Sequence, residues 1–119
     1  MEQPDSGEPA LWHVTLTVAG DPIDPTTLRD ALERLAAERP FMVSMRYGLD
    51  RAELRYWDEA EEIDDAAALA LRLWGDHRAS AHLPDWRVVG LEVLDRATML
   101  ARGEERNSSP LVAAGVRPL

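Results

Sequence analysis

Residues 42–57, Met42-Val43-Ser44-Met45-Arg46-Tyr47-Gly48-Leu49-Asp50-Arg51-Ala52-Glu53-Leu54-Arg55-Tyr56-Trp57, read as two strands joined by a tight loop. Pairing Tyr47 with Ala52 across the loop Gly48–Arg51 sets every other pair. Met45 then lies opposite Leu54 and Val43 opposite Tyr56, which makes one apolar face. Arg46 meets Glu53, Ser44 meets Arg55 and Met42 meets Trp57 on the other. A slip of one residue turns every side chain over, so a coherent apolar face and an opposite-charge pair from one register support each other.

Working outward, the chain before the hairpin holds a strand and a helix. Leu11–Val18 alternates, with Trp12, Val14, Leu16 and Val18 on one face and His13, Thr15 and Thr17 on the other. Asp24 is placed to cap a helix whose first residue, Pro25, lacks the N–H that would be unpaired there anyway. Leu28, Ala31, Leu32, Leu35 and Ala36 form its apolar stripe, and Pro40 ends it. After the hairpin comes a second helix, about Asp64 to Ala81, in which Ala67, Ala70, Leu71, Trp74 and Ala81 can face the sheet. Pro84 stops that segment. A last strand, about Trp86 to Leu94, points Val89, Leu91 and Val93 inward and Trp86, Val88, Gly90, Glu92 and Leu94 outward.

The order is βαββαβ. Two right-handed crossovers with a hairpin between them give an α+β fold. It is a ferredoxin-like two-layer sandwich whose antiparallel sheet has the order 4-1-3-2, with both helices on one face. A small mixed sheet with a separate tail strand is the rival arrangement. The domain spans residues 11–95, between a disordered segment at 1–10 and a flexible tail at 96–119 whose apolar Leu111–Val116 patch either docks or has no role.

With 119 residues the chain is most simply one domain, long enough to bury a two-layer core without staples. It has no cysteine, which excludes disulfides, thiolate metal sites and cysteine nucleophiles. All 13 basic residues are arginine, so lysine Schiff-base chemistry is excluded too. A net charge of −9 argues against nucleic-acid binding, which draws on clustered cations. No apolar run approaches the roughly 18 residues that span a membrane, and residues 1–10 lack the apolar stretch of a secretory signal. A cytoplasmic protein is expected.

Three segments carry a resemblance: Glu53-Leu54-Arg55-Tyr56-Trp57, Leu71-Arg72-Leu73-Trp74-Gly75, and Leu83-Pro84-Asp85-Trp86-Arg87-Val88-Val89-Gly90-Leu91-Glu92-Val93. In these the chain resembles a family of small uncharacterised ferredoxin-like proteins common in high-GC bacteria. The likeness covers about residues 11–96 and implies the fold but no activity.

Function must therefore be argued from sites. The loop after the first strand, Ala19–Asp24, has neither the CxxC of metal carriers nor the cation of an acylphosphatase-like anion cradle. Arg51–Trp57 lacks the glycines and most of the aromatics of an RNA-recognition strand. No cofactor or metal site is read from the sequence. His77 and His82 are five apart, which does not suit a shared helical face. The acidic run Asp58–Asp65 lacks a calcium-loop pattern and fits the start of a helix instead.

What stands out is the outer sheet face, with His13, Thr15, Thr17, Arg46, Arg55, Trp57, Trp86, Val88, Glu92 and Leu94 as its candidate residues. Tryptophan and arginine on a solvent-facing sheet suit an interface. The leading expectation is a non-catalytic interaction or oligomerisation module, a homodimer through this face, in which Trp57 and Trp86 make the contact. The second is a small-molecule-binding regulatory domain in which Arg46 or Arg55 holds an anionic group. The third is a dimeric α/β-barrel enzyme in which His13 or Glu92 moves a proton.

Overall fold

The computed structural model describes residues 9–39, 41–106 and 115–119. Its elements in chain order are β1 (Ala10–Ala19), α1 (Pro25–Glu38), β2 (Met42–Tyr47), β3 (Arg51–Ala60), α2 (Ile63–Ala81), β4 (Arg87–Asp95), α3 (Arg96–Arg106) and β5 (Gly115–Pro118). The sheet is mixed, in the order β4-β1-β3-β2-β5, with β5 parallel to β2 and every other pair antiparallel. The first four strands thus take the order expected from the crossovers. α3 and β5 occupy the stretch read from sequence as a tail. Residues 1–8, Pro40 and Leu111–Ala114 lie outside the described residues.

α1 starts as its sequence dictates. The Asp24 carboxylate accepts from the Thr27 backbone N–H at 3.0 Å, and Pro25 opens the first turn. Leu28, Ala31, Leu32 and Leu35 are buried against Val14, Leu16 and Val18 of β1 and Met45, Leu54 and Tyr56 of the hairpin. The loops at that end are tied together, because Gly20 N–H donates to the Asp50 carbonyl and Ile23 N–H to that of Leu49.

The hairpin pairs as read from Tyr47–Ala52 to Ser44–Arg55, and then departs from expectation. Val43 is an extra residue without a partner, and Met42, not Val43, lies opposite Tyr56. One bulged residue reverses the alternation beyond it, so the flexible Met42 side chain fills the core beside Tyr56.

A second bulge corrects the outer face. β1 pairs Thr17 with Gly90 but Val18 with Val88, which leaves Val89 as the extra residue. Beyond it inside and outside exchange. Val88 packs against the core, Val89 is 50% exposed, and Trp86 is only 6% exposed within the core cluster. Trp86 and Val88 therefore do not belong to the outer face on which strict alternation placed them.

α2 is rotated relative to its expected stripe. Ala66, Ala70, Leu73, Trp74 and Ala81 are buried, whereas Leu71 is 54% exposed and Ala67 half-buried. Apolar residues occupy nearly every position from Ala66 to Leu71, so periodicity alone leaves the rotation open. Trp74 decides it. Its ring stacks on Trp86 with centroids 6.3 Å apart and planes 6° from parallel, and its N–H donates to the Pro84 carbonyl at 3.0 Å.

Candidate functional site

The β1–β3 and β1–β4 registers build the outer face in rows. His13 lies between Leu94 and Trp57, Thr15 between Glu92 and Arg55, and Thr17 between Gly90 and Glu53. Ser44 and Arg46 extend the second and third rows on β2. His13, Thr15, Thr17, Arg46, Arg55, Trp57, Glu92 and Leu94 are thus brought onto one surface, while Trp86 and Val88 sit on the opposite side of the sheet.

That surface is not bare. Asp95 at the end of β4 accepts from the Thr98 N–H at 2.8 Å and caps the first turn of α3, which packs back on β1 and β4. The hydrogen bonds from Thr98 hold the Asp95 carboxyl below its ordinary range. One turn on, the Arg102 guanidinium donates to both carboxylate oxygens of Glu92, at 3.4 and 3.2 Å. Glu92 faces outward, so this fork pins α3 across the outer face. The capping aspartate with apolar Met99 and Leu100 after it was the sequence signal for this helix. Gly103 and the serines and proline beyond it obscured the signal.

Between α3 and β3 a groove of about 320 Å³ remains, lined by Leu11, Phe41, Trp57, Leu100 and Arg96. Phe41 and Leu100 are 58% and 54% exposed, a high value for large apolar side chains that line one concavity. Leu11 and Arg96 also line a neighbouring hollow with Pro9, Ala10, Trp12, Asp95 and Ala97. The Trp57 backbone N–H donates to the Phe41 carbonyl, which holds the two aromatic residues side by side. Sequence reasoning found Trp57. It missed Phe41, Leu100, Leu11 and Arg96, because the groove exists only once α3 folds over the sheet.

Behind Trp57 sits His13, 3% exposed, its ring edge-on to the indole with centroids 5.0 Å apart. Burial above all, and then the positive charge of Arg55, lower its pKa to about 4, against a smaller opposing effect of Glu92. His13 is therefore neutral near pH 7. Arg55 itself has a buried Nε with no hydrogen-bond partner among the described residues. On the other side of β3, burial pushes the Tyr56 phenol well above its ordinary range while Arg39 lies over its ring.

The family model for the Domain of unknown function (DUF8830) matches residues 11–110. The chain belongs to the DUF8830 family. No curated protein and no solved structure matches it. The match runs past β4 and through the whole of α3, so the helix that walls the groove is part of the DUF8830 domain.

The remaining sequence candidates in this DUF8830 domain have structural partners. His77 and Ser80 donate to the same Glu38 oxygen, at 2.6 and 2.8 Å, which joins α2 to α1 and lowers the Glu38 pKa. His82 ends α2 in the left-handed region, with φ 59°, and its N–H bonds back to Arg78. Of the acidic run, Asp58 pairs with Arg39 at 3.3 Å, and Asp64 and Asp65 lie in the first turn of α2. Among the described residues no three His, Asp or Glu side chains cluster as a metal site would require, and no helix is long and apolar enough to cross a membrane.

Proposed function

We propose that this DUF8830 chain is a non-catalytic binding domain, cytoplasmic and ferredoxin-like in its βαββαβ unit, that takes a small apolar ligand in the groove between α3 and β3. One observation carries the reading: exposed Phe41 and Leu100 flank Trp57 in a concavity of about 320 Å³. That volume is at the lower end of ligand pockets, which run from roughly 300 to 1,000 Å³ and are mostly apolar. A broad dimer interface on the same face is less well supported. It would need roughly 800 Å² per partner, yet α3 covers the β4–β1 part and Trp86 is in the core. Proton transfer between His13 and Glu92 is disfavoured because the Arg102 fork engages the carboxylate.

The groove is tested with Nile red, a neutral apolar dye. Its fluorescence should rise with saturation on the wild-type chain, and Phe41→Ser and Leu100→Ser should abolish the rise while leaving the circular dichroism unchanged. Equal fluorescence from wild type and both variants would remove the reading.

Self-association is the second reading, favoured by Leu71, Val89 and Leu91 at 54%, 50% and 36% exposure on α2 and β4. β4 is an edge strand, and edges with apolar side chains invite a second copy. Sedimentation equilibrium should then show a dimer that Val89→Lys dissociates; a wild-type monomer at high concentration overturns it.

A further inference from the structure

We infer that the groove between α3 and β3 takes a small apolar carboxylate, its hydrocarbon body against Leu11, Phe41, Trp57 and Leu100 and its acid group on the Arg96 guanidinium. The inference rests on the binding-domain reading above and names the ligand class.

The lining carries the first part of the argument. Four of its five side chains are apolar and the fifth is a cation. Several arginines elsewhere in this chain are engaged, Arg39 with Asp58, Arg78 with Asp85 and Arg102 with Glu92, whereas Arg46 and Arg55 on the outer face, like Arg96, have no ion pair among the described residues. Arg96 has no ion-pair or side-chain hydrogen-bond partner among the described residues, although the chain carries a net charge of −9. The adjacent acid, Asp95, lines the neighbouring hollow and not this groove, and its carboxylate is engaged by Thr98. A cation left alone at the edge of an apolar concavity complements a ligand with one anionic end.

The second part comes from the wall behind Trp57. Arg55 lies two residues along β3 on the same face, with its Nε buried and unpartnered. Its positive charge is felt at His13, whose ring touches the Trp57 indole. Arg55 thus places a second positive charge behind Trp57, opposed by Glu92, whose carboxylate the Arg102 fork engages. A carboxylate fits better than a phosphate. It is planar and singly charged, and one guanidinium fork satisfies it with two parallel hydrogen bonds.

The test titrates the full chain with decanoate and with decanamide, which has the same hydrocarbon body and no charge, by isothermal calorimetry. Decanoate should bind at one site, and decanamide about tenfold more weakly, as expected for loss of one charged hydrogen bond. Arg96→Gln, an exposed position, should bring decanoate down to the level of decanamide and leave decanamide unchanged. Val89→Ser, on the exposed β4 edge, should alter neither. If both compounds bind equally and Arg96→Gln changes nothing, the carboxylate preference is wrong while the groove survives. If neither compound binds and Nile red also fails, the groove itself is wrong, and this inference falls with it.

Discussion

Trp57 lies in β3 and Trp86 immediately before β4, on either side of β1 in the sheet order, and strict alternation puts both on the same side of the sheet. The structure separates them. Trp57 stays outside, half-covered, with one edge on His13 and another toward the groove. Trp86 turns inward, stacks on Trp74 and donates its indole N–H to the Asp21 carbonyl at 2.8 Å. A Cβ on Gly20 would come within 2.2 Å of the Trp86 ring, so only glycine permits this approach. One tryptophan is part of the core and the other of a surface. What distinguishes them is a single unpaired residue, Val89.

The largest expected effect tests this difference directly. Trp86→Ala should destabilise the chain by about 3–5 kcal/mol, the range for truncating a buried aromatic. Trp57→Ala should cost about 1 kcal/mol, since that ring is only half-buried. Urea unfolding followed by circular dichroism reads both; equal losses would break the comparison.

Next in size is the pH dependence set by His13. Its folded pKa of about 4 lies below the ordinary 6.5. Between those values the unfolded chain binds a proton that the folded chain does not. Stability is then present above pH 6.5 and is lost as the pH falls toward 4, by on the order of 2–3 kcal/mol. His13→Gln should flatten that window. An unchanged slope would mean that the imidazole is not buried behind Trp57.

The bulge predicts an asymmetry between adjacent residues. Val88→Ser should cost about 2 kcal/mol and Val89→Ser under about 0.5 kcal/mol. The reverse order would restore simple alternation and move Trp86 back outside. An effect smaller than that Val88–Val89 difference concerns the turn that delivers Trp86 to the core. His82 holds a left-handed conformation that glycine adopts without strain, so His82→Gly should stabilise by about 1 kcal/mol. A thermal melt would register it as a rise in Tm, and a fall would indicate a role for the imidazole beyond the cap.

Much of this was legible in the residues themselves. The hairpin register as far as the Ser44–Arg55 pair, the Asp24–Pro25 helix start, the βαββαβ order and the inward face of β1 all depend on neighbours a few positions apart. Such short-range patterns survive in a linear reading. The α2 rotation did not, because alanine and leucine on all sides of a helix leave its burial face to be chosen by Trp74 and its partner. Nor did the positions of Trp86 and Val88, because a bulge has no compositional mark in Arg87–Asp95 and reverses everything beyond it.

From sequence alone came the α+β class and the order of the first four strands, the exclusion of thiol and lysine chemistry, and the suspicion that the outer face matters, since Trp57, Arg55 and His13 alternate out of an otherwise apolar pattern. Tertiary structure alone decided what that face is. α3 folds over it through the Glu92–Arg102 fork, and the groove draws Leu11, Phe41, Trp57, Arg96 and Leu100 from four separate parts of the chain. Local periodicity reports which way a side chain points. It carries no information about which distant segment will arrive to cover it.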